Sequence, residues 1–174
     1  MATYNFTLPG PMPYYYQKDS LWTDPNKKDT YISTEFADSG CAASCLAMVA
    51  SYFNNEDITP YVLYKAKKIR SNGYVESWNT NGCTVTTQTK TLEQAKQIIF
   101  DELYINHRPV IIWLSPSHYV VAYGLKGTID NKTTYANSVI LTRDPWDPLK
   151  TNFNEVLTKS PTKSYAGKIN TVTF

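Results

Sequence analysis

Three side chains of this 174-residue chain have the types and placement for acyl transfer. Cys41 follows Gly40 and opens the strongest helical pattern in the sequence, residues 41–53. A thiol at a helix N-terminus lies near the positive end of the macrodipole and beside unpaired amides. That setting favours the thiolate, which is the nucleophilic form. The same amides can stabilise an oxyanion forming on an attacked carbonyl. Away from such a setting, a free cysteine behaves as a small buried hydrophobe. Cys45, one turn further along the apolar stripe, fits that plainer description. Cys83 lies in a polar stretch and reads as a free thiol, able to pair with Cys45 only if the fold joins them.

A thiolate needs a base, and the chain has two histidines. His107, in Ile105-Asn106-His107-Arg108-Pro109, reads as a surface residue in a connection after a helix. His118 opens the run His118-Tyr119-Val120-Val121-Ala122-Tyr123-Gly124, and a strand start is a place to present a side chain to a cleft. A hydrogen-bonded histidine at a sheet edge is the alternative. Asp144, in Arg143-Asp144-Pro145-Trp146, ends the apolar segment Val139-Ile140-Leu141-Thr142. If 118–124 and 138–144 pair as an antiparallel hairpin, Gly124 faces Ser138 and His118 faces Asp144. A carboxylate there would hold the imidazole's tautomer and orientation. Asp before Pro is also a common turn residue, and Asp147 is a second candidate three residues beyond the strand.

The elements that must carry these residues follow from pattern. Ser39-Gly40 can cap the helix at 41–53, with Ser39 as the acceptor, and Cys45, Met48, Val49 and Tyr52 form its buried stripe. Asn54-Asn55 ends it. A second helix is predicted over 60–70 from Pro60 at its first position and Val62, Leu63, Ala66 and Ile69 on one face. A third is predicted over 91–105, opened by the Thr91/Gln94 capping-box pattern. Residues 1–37 read as extended segments and turns, with Tyr14-Tyr15-Tyr16 favouring strand. Residues 71–90 read as a loop with a short strand near 83–87. Pro109–Leu114, His118–Gly124 and Ser138–Thr142 are rich in Val, Ile and Tyr and read as strands; the tail is loop and weak helix, then a strand near 169–174. Helices followed by strands predict an α+β domain on an antiparallel sheet, with residues 1–174 as a single domain.

Composition narrows the classes. At 42% hydrophobic residues the chain is not disordered over most of its length. A net charge of +2, with no basic run longer than Lys65-Ala66-Lys67-Lys68, predicts no nucleic-acid partner. No apolar stretch approaches membrane-spanning length, so no membrane partner is expected. Met1-Ala2-Thr3-Tyr4-Asn5 has neither a basic region nor an apolar run, so no signal peptide is expected. The protein then stays in the cell that makes it, leaves by lysis or another route, or had a leader trimmed. Three cysteines do not predict a disulfide scaffold, and no C-x-x-C or H-E-x-x-H motif predicts a metal.

With these residues in view, Gly40-Cys41-Ala42-Ala43-Ser44-Cys45-Leu46-Ala47-Met48 resembles the nucleophile helix of papain-like peptidases of the double-glycine, bacteriocin-leader-processing type and their stand-alone relatives. In that family a Gln lies upstream of the helix, a His-Tyr/Phe-Val-Val strand follows, and an Asp-Pro segment comes next. Tyr16-Gln17, Cys41, His118-Tyr119-Val120-Val121 and Asp144-Pro145-Trp146 match that order and spacing over about residues 13–148. The resemblance implies a papain-like fold and cysteine peptidase chemistry. Cys41 would be nucleophile, His118 base and Asp144 orienter, and Gln17 would donate to the oxyanion. Gln17's role rests on the resemblance alone; by itself it reads as a surface residue. Ala42 departs from the glycine usual after the nucleophile, which keeps the size small but leaves backbone approach less free.

The implied reaction hydrolyses an amide through a thioester and needs no metal or organic cofactor. A monomer acting on a peptide is expected. The same triad could instead cut a peptidoglycan stem peptide, and the loops around Trp78 and Trp146 suit a wall-lytic or phage-associated enzyme equally. An acyltransferase, or a binding module with a silent site, stands as a further alternative.

Overall fold

The computed structural model describes all 174 residues and divides them into two compact units. One comprises Met1–Pro9, Val85–Asp144 and Pro148–Thr173; the other comprises Gly10–Thr84, Pro145–Asp147 and Phe174. The architecture is α+β, as the element order predicts.

The first unit is built on a six-stranded sheet. Its strands are β1 (Ala2–Thr7), β2 (Thr84–Thr89), β3 (Val110–Ser115), β4 (His118–Ile129), β5 (Ile140–Arg143) and β6 (Ser164–Thr173), with Thr84 itself falling in the other unit. Their order is β1-β4-β3-β6-β2, and β5 pairs with β4. The pairings of β1 with β4, β3 with β4, β3 with β6 and β4 with β5 are all antiparallel. Val110-Ile111-Ile112 and Val120-Val121-Ala122 are buried on both faces, which explains why they read as continuous apolar runs rather than alternating ones.

The Thr91/Gln94 capping box forms: Thr91 Oγ1 accepts from the Gln94 amide at 3.2 Å, and Gln94 Oε1 accepts from the Thr91 amide at 3.0 Å. The helix it opens stops at Phe100, and a π-helical turn covers Asp101–Ile105. The predicted single helix over 91–105 is therefore two pieces. Lys96 and Tyr135 bond reciprocally, each side chain donating to the other's backbone carbonyl, at 2.6 and 2.8 Å. This ties the segment before β5 to that helix. Burial pushes the Lys96 ammonium down and the Tyr135 phenol up from their ordinary values. In the tail, Asn152 caps a helix at Phe153–Thr158.

The second unit carries four helices: α1 (Ser20–Thr23), α2 (Phe36–Ser39), α3 (Cys41–Asn54) and α4 (Pro60–Lys65). Ala43 to Ser51 of α3 are all buried, so the helix is enclosed all round and not only on the predicted stripe. It ends at Asn55, whose φ of 52° is the left-handed cap expected of Asn. α4 starts as predicted, with Thr59 Oγ1 accepting from the Val62 amide at 3.2 Å and Pro60 following. It ends five residues earlier than the apolar spacing implied. Lys67 turns left-handed at φ 60°, and the Lys67 and Lys68 amides donate back to Tyr64 and Leu63, closing a Schellman cap. Ile69 then pairs with Val75 in a short hairpin.

Tyr14–Tyr16 form no strand. Tertiary partners take up the segment instead. The Tyr15 hydroxyl meets Ser51 Oγ of α3 at 3.3 Å, Trp22 Nε1 donates to the Tyr16 carbonyl at 2.9 Å, and the Gln17 amide donates to the Pro145 carbonyl at 2.9 Å.

Candidate active site

Within the sheet unit, a short turn across Ser115–Ser117 joins β3 to β4, and His118 pairs with Leu114 at the strand start. The His118 and Asp144 side chains meet there, Nε2 to Oδ1 at 2.7 Å. Both residues are buried, at 3% and 2% exposure. With the proton on Nε2 donating to the carboxylate, the neutral ring carries its basic lone pair on Nδ1. A buried carboxylate at this distance also favours the imidazolium that forms when the ring takes a proton.

The strands pair as predicted but not in the predicted register. Val121 faces Arg143, Ala122 faces Thr142, and after a bulge Gly124 faces Leu141. Continued by one residue, Asp144 is level with Val120, not His118. Residues 118 and 120 share a face, so His118 is the diagonal neighbour, within reach of a short acidic side chain. Equal segment lengths suggested an in-line pairing; β4 instead runs on to Ile129, so Gly124 meets Leu141 rather than Ser138, and the bulge takes back one residue of that three-residue shift.

Within the helical unit, Cys41 is the first residue of α3 and is 8% exposed. No side chain caps this helix: Gly40 is the N-cap, and Ser39, the predicted acceptor, belongs to α2. The Ser39 hydroxyl donates instead to backbone carbonyls, Glu35 at 3.0 Å and Asn72. The opening amides of α3 are therefore left without a capping oxygen, at the end where the helix favours negative charge.

A buttress missed in the sequence stands beside this helix start. Besides Ser39 to Asn72, the Ser33 hydroxyl donates to the Ser71 carbonyl. Gly73, at φ 87°, lies so close that a Cβ would come within 2.7 Å of both Gly40 Cα and the Ser39 carbonyl. The Asn72-Gly73 dipeptide is a turn signal, but nothing in the sequence points it at Cys41.

Gln17 is buried at 1% exposure, not on the surface. Its Nε2 donates to the Ala37 carbonyl of α2 at 3.0 Å, one short turn before Cys41, which orients the amide. Its Oε1 is buried with no protein partner. The residues just after Asp144 also lie in this unit: Pro145 accepts from the Gln17 backbone, and the Lys18 ammonium sits 3.4 Å above the Trp146 ring. Asp147 is half-buried here, while its alternative, Asp144, is the carboxylate on His118.

His107 is exposed at φ 54°, its ring 5.6 Å from Phe6. None of the three cysteines forms a disulfide. Cys45 is fully buried in α3; Cys83 is 2% exposed, and burial pushes its thiol up to about 11. Cys83, set in a polar stretch of sequence, is thus buried in the fold.

The fold is of the papain-like α+β class. Residues 23–137, about two thirds of the chain, match the model of the Peptidase C39 family, and the chain belongs to that family of cysteine peptidases. The matched span includes Cys41 and His118, whereas Gln17 and Asp144 fall outside it. Neither a search of curated proteins nor one of solved structures finds a significant match.

Proposed function

We propose that the protein is a working cysteine peptidase that hydrolyses a peptide bond through Cys41, His118, Asp144 and Gln17, with residues 1–174 acting as one domain. The observation that carries this reading is the buried His118–Asp144 hydrogen bond in a chain of the Peptidase C39 family. A sealed imidazole on a carboxylate is the pairing that orients and charges a general base.

In this reading His118 takes the Cys41 proton at Nδ1 while Asp144 holds Nε2. The sulfur attacks the scissile carbonyl carbon. The carbonyl oxygen gains the negative charge and accepts from the Cys41 backbone amide and from the Gln17 amide hydrogen not given to Ala37. As the tetrahedral species collapses, the C–N bond breaks and His118 returns its proton to the leaving amine. A water, deprotonated by His118, then attacks the thioester, releasing the acid and the Cys41 thiol. The open start of α3 supports this role for Cys41, since negative charge on sulfur or oxygen is favoured at an uncapped helix N-terminus.

The test is intact-mass analysis of a peptide library after incubation with wild-type protein and with Cys41→Ser. Cleavage by the wild type that the variant lacks is expected. Equal cleavage by both, or none by either alongside an unreactive Cys41, overturns the reading.

A further inference from the structure

The basic run Lys65-Ala66-Lys67-Lys68, which the chemistry above does not use, lies at a cleft of about 410 Å³ in the helical unit. The lining residues are Tyr64, Lys65, Lys67, Ile69, Arg70 and Glu76. Three cations and one carboxylate give the lining a formal charge of +2, as large as the net charge of the whole chain. Lys65, Lys67 and Arg70 are exposed, while Ile69 is buried and Tyr64 half-buried. The rim is therefore cationic and the floor apolar. The Schellman cap places Lys67 at a left-handed position that would ordinarily suit glycine.

Two further features give the cleft a direction and a ligand chemistry. The Ile69–Val75 hairpin supplies Ile69, Arg70 and Glu76 to the cleft at its base. Its tip, Asn72-Gly73, is the segment clamped to Ser39 and Gly40 just before Cys41. One hairpin thus runs from the nucleophile's helix to the cleft. Glu76 already binds Arg70 Nε, so a carboxylate fits this cationic rim.

We propose that this cleft is an exosite for an acidic stretch of the peptide substrate, recognised by Lys65, Lys67 and Arg70 with Tyr64 and Ile69 as an apolar floor. The proposal rests on the peptidase reading for its ligand, and extends it by naming a charge preference away from the scissile bond. Electrostatic capture at such a rim raises encounter rate and selectivity and weakens with salt.

The test uses fluorescein-labelled Glu/Ala and Lys/Ala decapeptides, read by anisotropy against the full chain and the charge-reversed variant Lys65→Glu/Lys67→Glu. The Glu peptide should bind about tenfold tighter than the Lys peptide at low salt, and charge reversal should remove the difference. Equal binding of the two peptides, or Glu-peptide binding unchanged by charge reversal, overturns the proposal. Tighter binding of a polyphosphate of matched charge also overturns it, since the occupant would then be an anionic polymer and not a peptide. Both lysines are exposed, so the variant should fold; if it does not, Lys65→Gln/Lys67→Gln is read the same way. Alkylation of Cys41 by iodoacetamide is measured alongside. An inert Cys41 with intact peptide binding defeats the peptidase reading but not the cleft, while reactive Cys41 with indifferent binding defeats the cleft alone.

Discussion

His118 Nε2 and Asp144 Oδ1 lie 2.7 Å apart with both side chains sealed from solvent. Asp144→Ala removes the acceptor and leaves a buried imidazole N–H without it. The expected loss of stability is about 1–3 kcal/mol. Asp144→Asn keeps the shape but not the charge, so it should lose less stability. Its hydrolysis should still fall on the order of 10²–10⁴-fold through loss of an oriented base. Thermal melts and kcat/KM of the two variants check this; full activity in Asp144→Asn would remove the carboxylate from the mechanism.

Gln17 is tied to α2 by its amide and is buried with an unpartnered Oε1. Gln17→Ala should lower kcat by about 10²-fold with KM little changed, as expected for a donor used mainly in the transition state. A rise in KM with kcat preserved would assign Gln17 to ground-state binding or structure alone.

Gly73 packs against the start of α3, the helix that Cys41 opens. Gly73→Ala would set a Cβ within 2.7 Å of Gly40 and Ser39 backbone atoms, at a φ of 87°. It should cost about 1–3 kcal/mol and slow Cys41 alkylation, because the clash falls on the N-cap of α3. Gly167→Ala is the control: its φ is 80°, but a Cβ there meets nothing within 4 Å. It should bring backbone strain without changing Cys41. Equal effects of the two variants on alkylation would contradict the buttress.

Cys83 titrates far from neutrality. Burial raises its thiol from an ordinary value of 9.0 to about 11 in the folded chain. Below pH 9 the thiol is protonated in both states, and its contribution is constant. Between about 9 and 11 only the unfolded chain loses the proton, so stability falls as pH rises through that window. Cys83→Ala should flatten this part of the stability–pH curve. Peptide mapping after iodoacetamide at pH 7 should find Cys41 labelled, with Cys45 and Cys83 protected by burial.

Local signals survived best from sequence to fold. The Thr91/Gln94 box, the Pro60 start, the Asn54-Asn55 stop and the β-rich runs at 110–114 and 118–124 depend on neighbours in sequence, and they form. What failed depends on partners far along the chain. Tyr14–Tyr16 have strand propensity, yet their partners are Ser51, Trp22 and, through Gln17, Pro145. Ser39 has the right chemistry for a cap, but α2 and the hairpin at Asn72 claim its hydroxyl. Of the candidate site, the meeting of His118 and Asp144 was legible in kind, since strand pairing brings a strand start to a strand end. The bulge that makes it diagonal was not. The burial of Gln17 was hidden because its partner, the Ala37 carbonyl, has no side-chain signature.

The dependence of Cys41 on His118 is most directly tested by the pH profile of Cys41 alkylation in wild type and in His118→Ala, followed by mass spectrometry from pH 4 to pH 10. Faster alkylation of Cys41 in the wild type than in the variant over the acidic and neutral part of this range, with Cys45 and Cys83 unlabelled in both, is the predicted result. Superimposable profiles would contradict the pairing of this thiol with this imidazole.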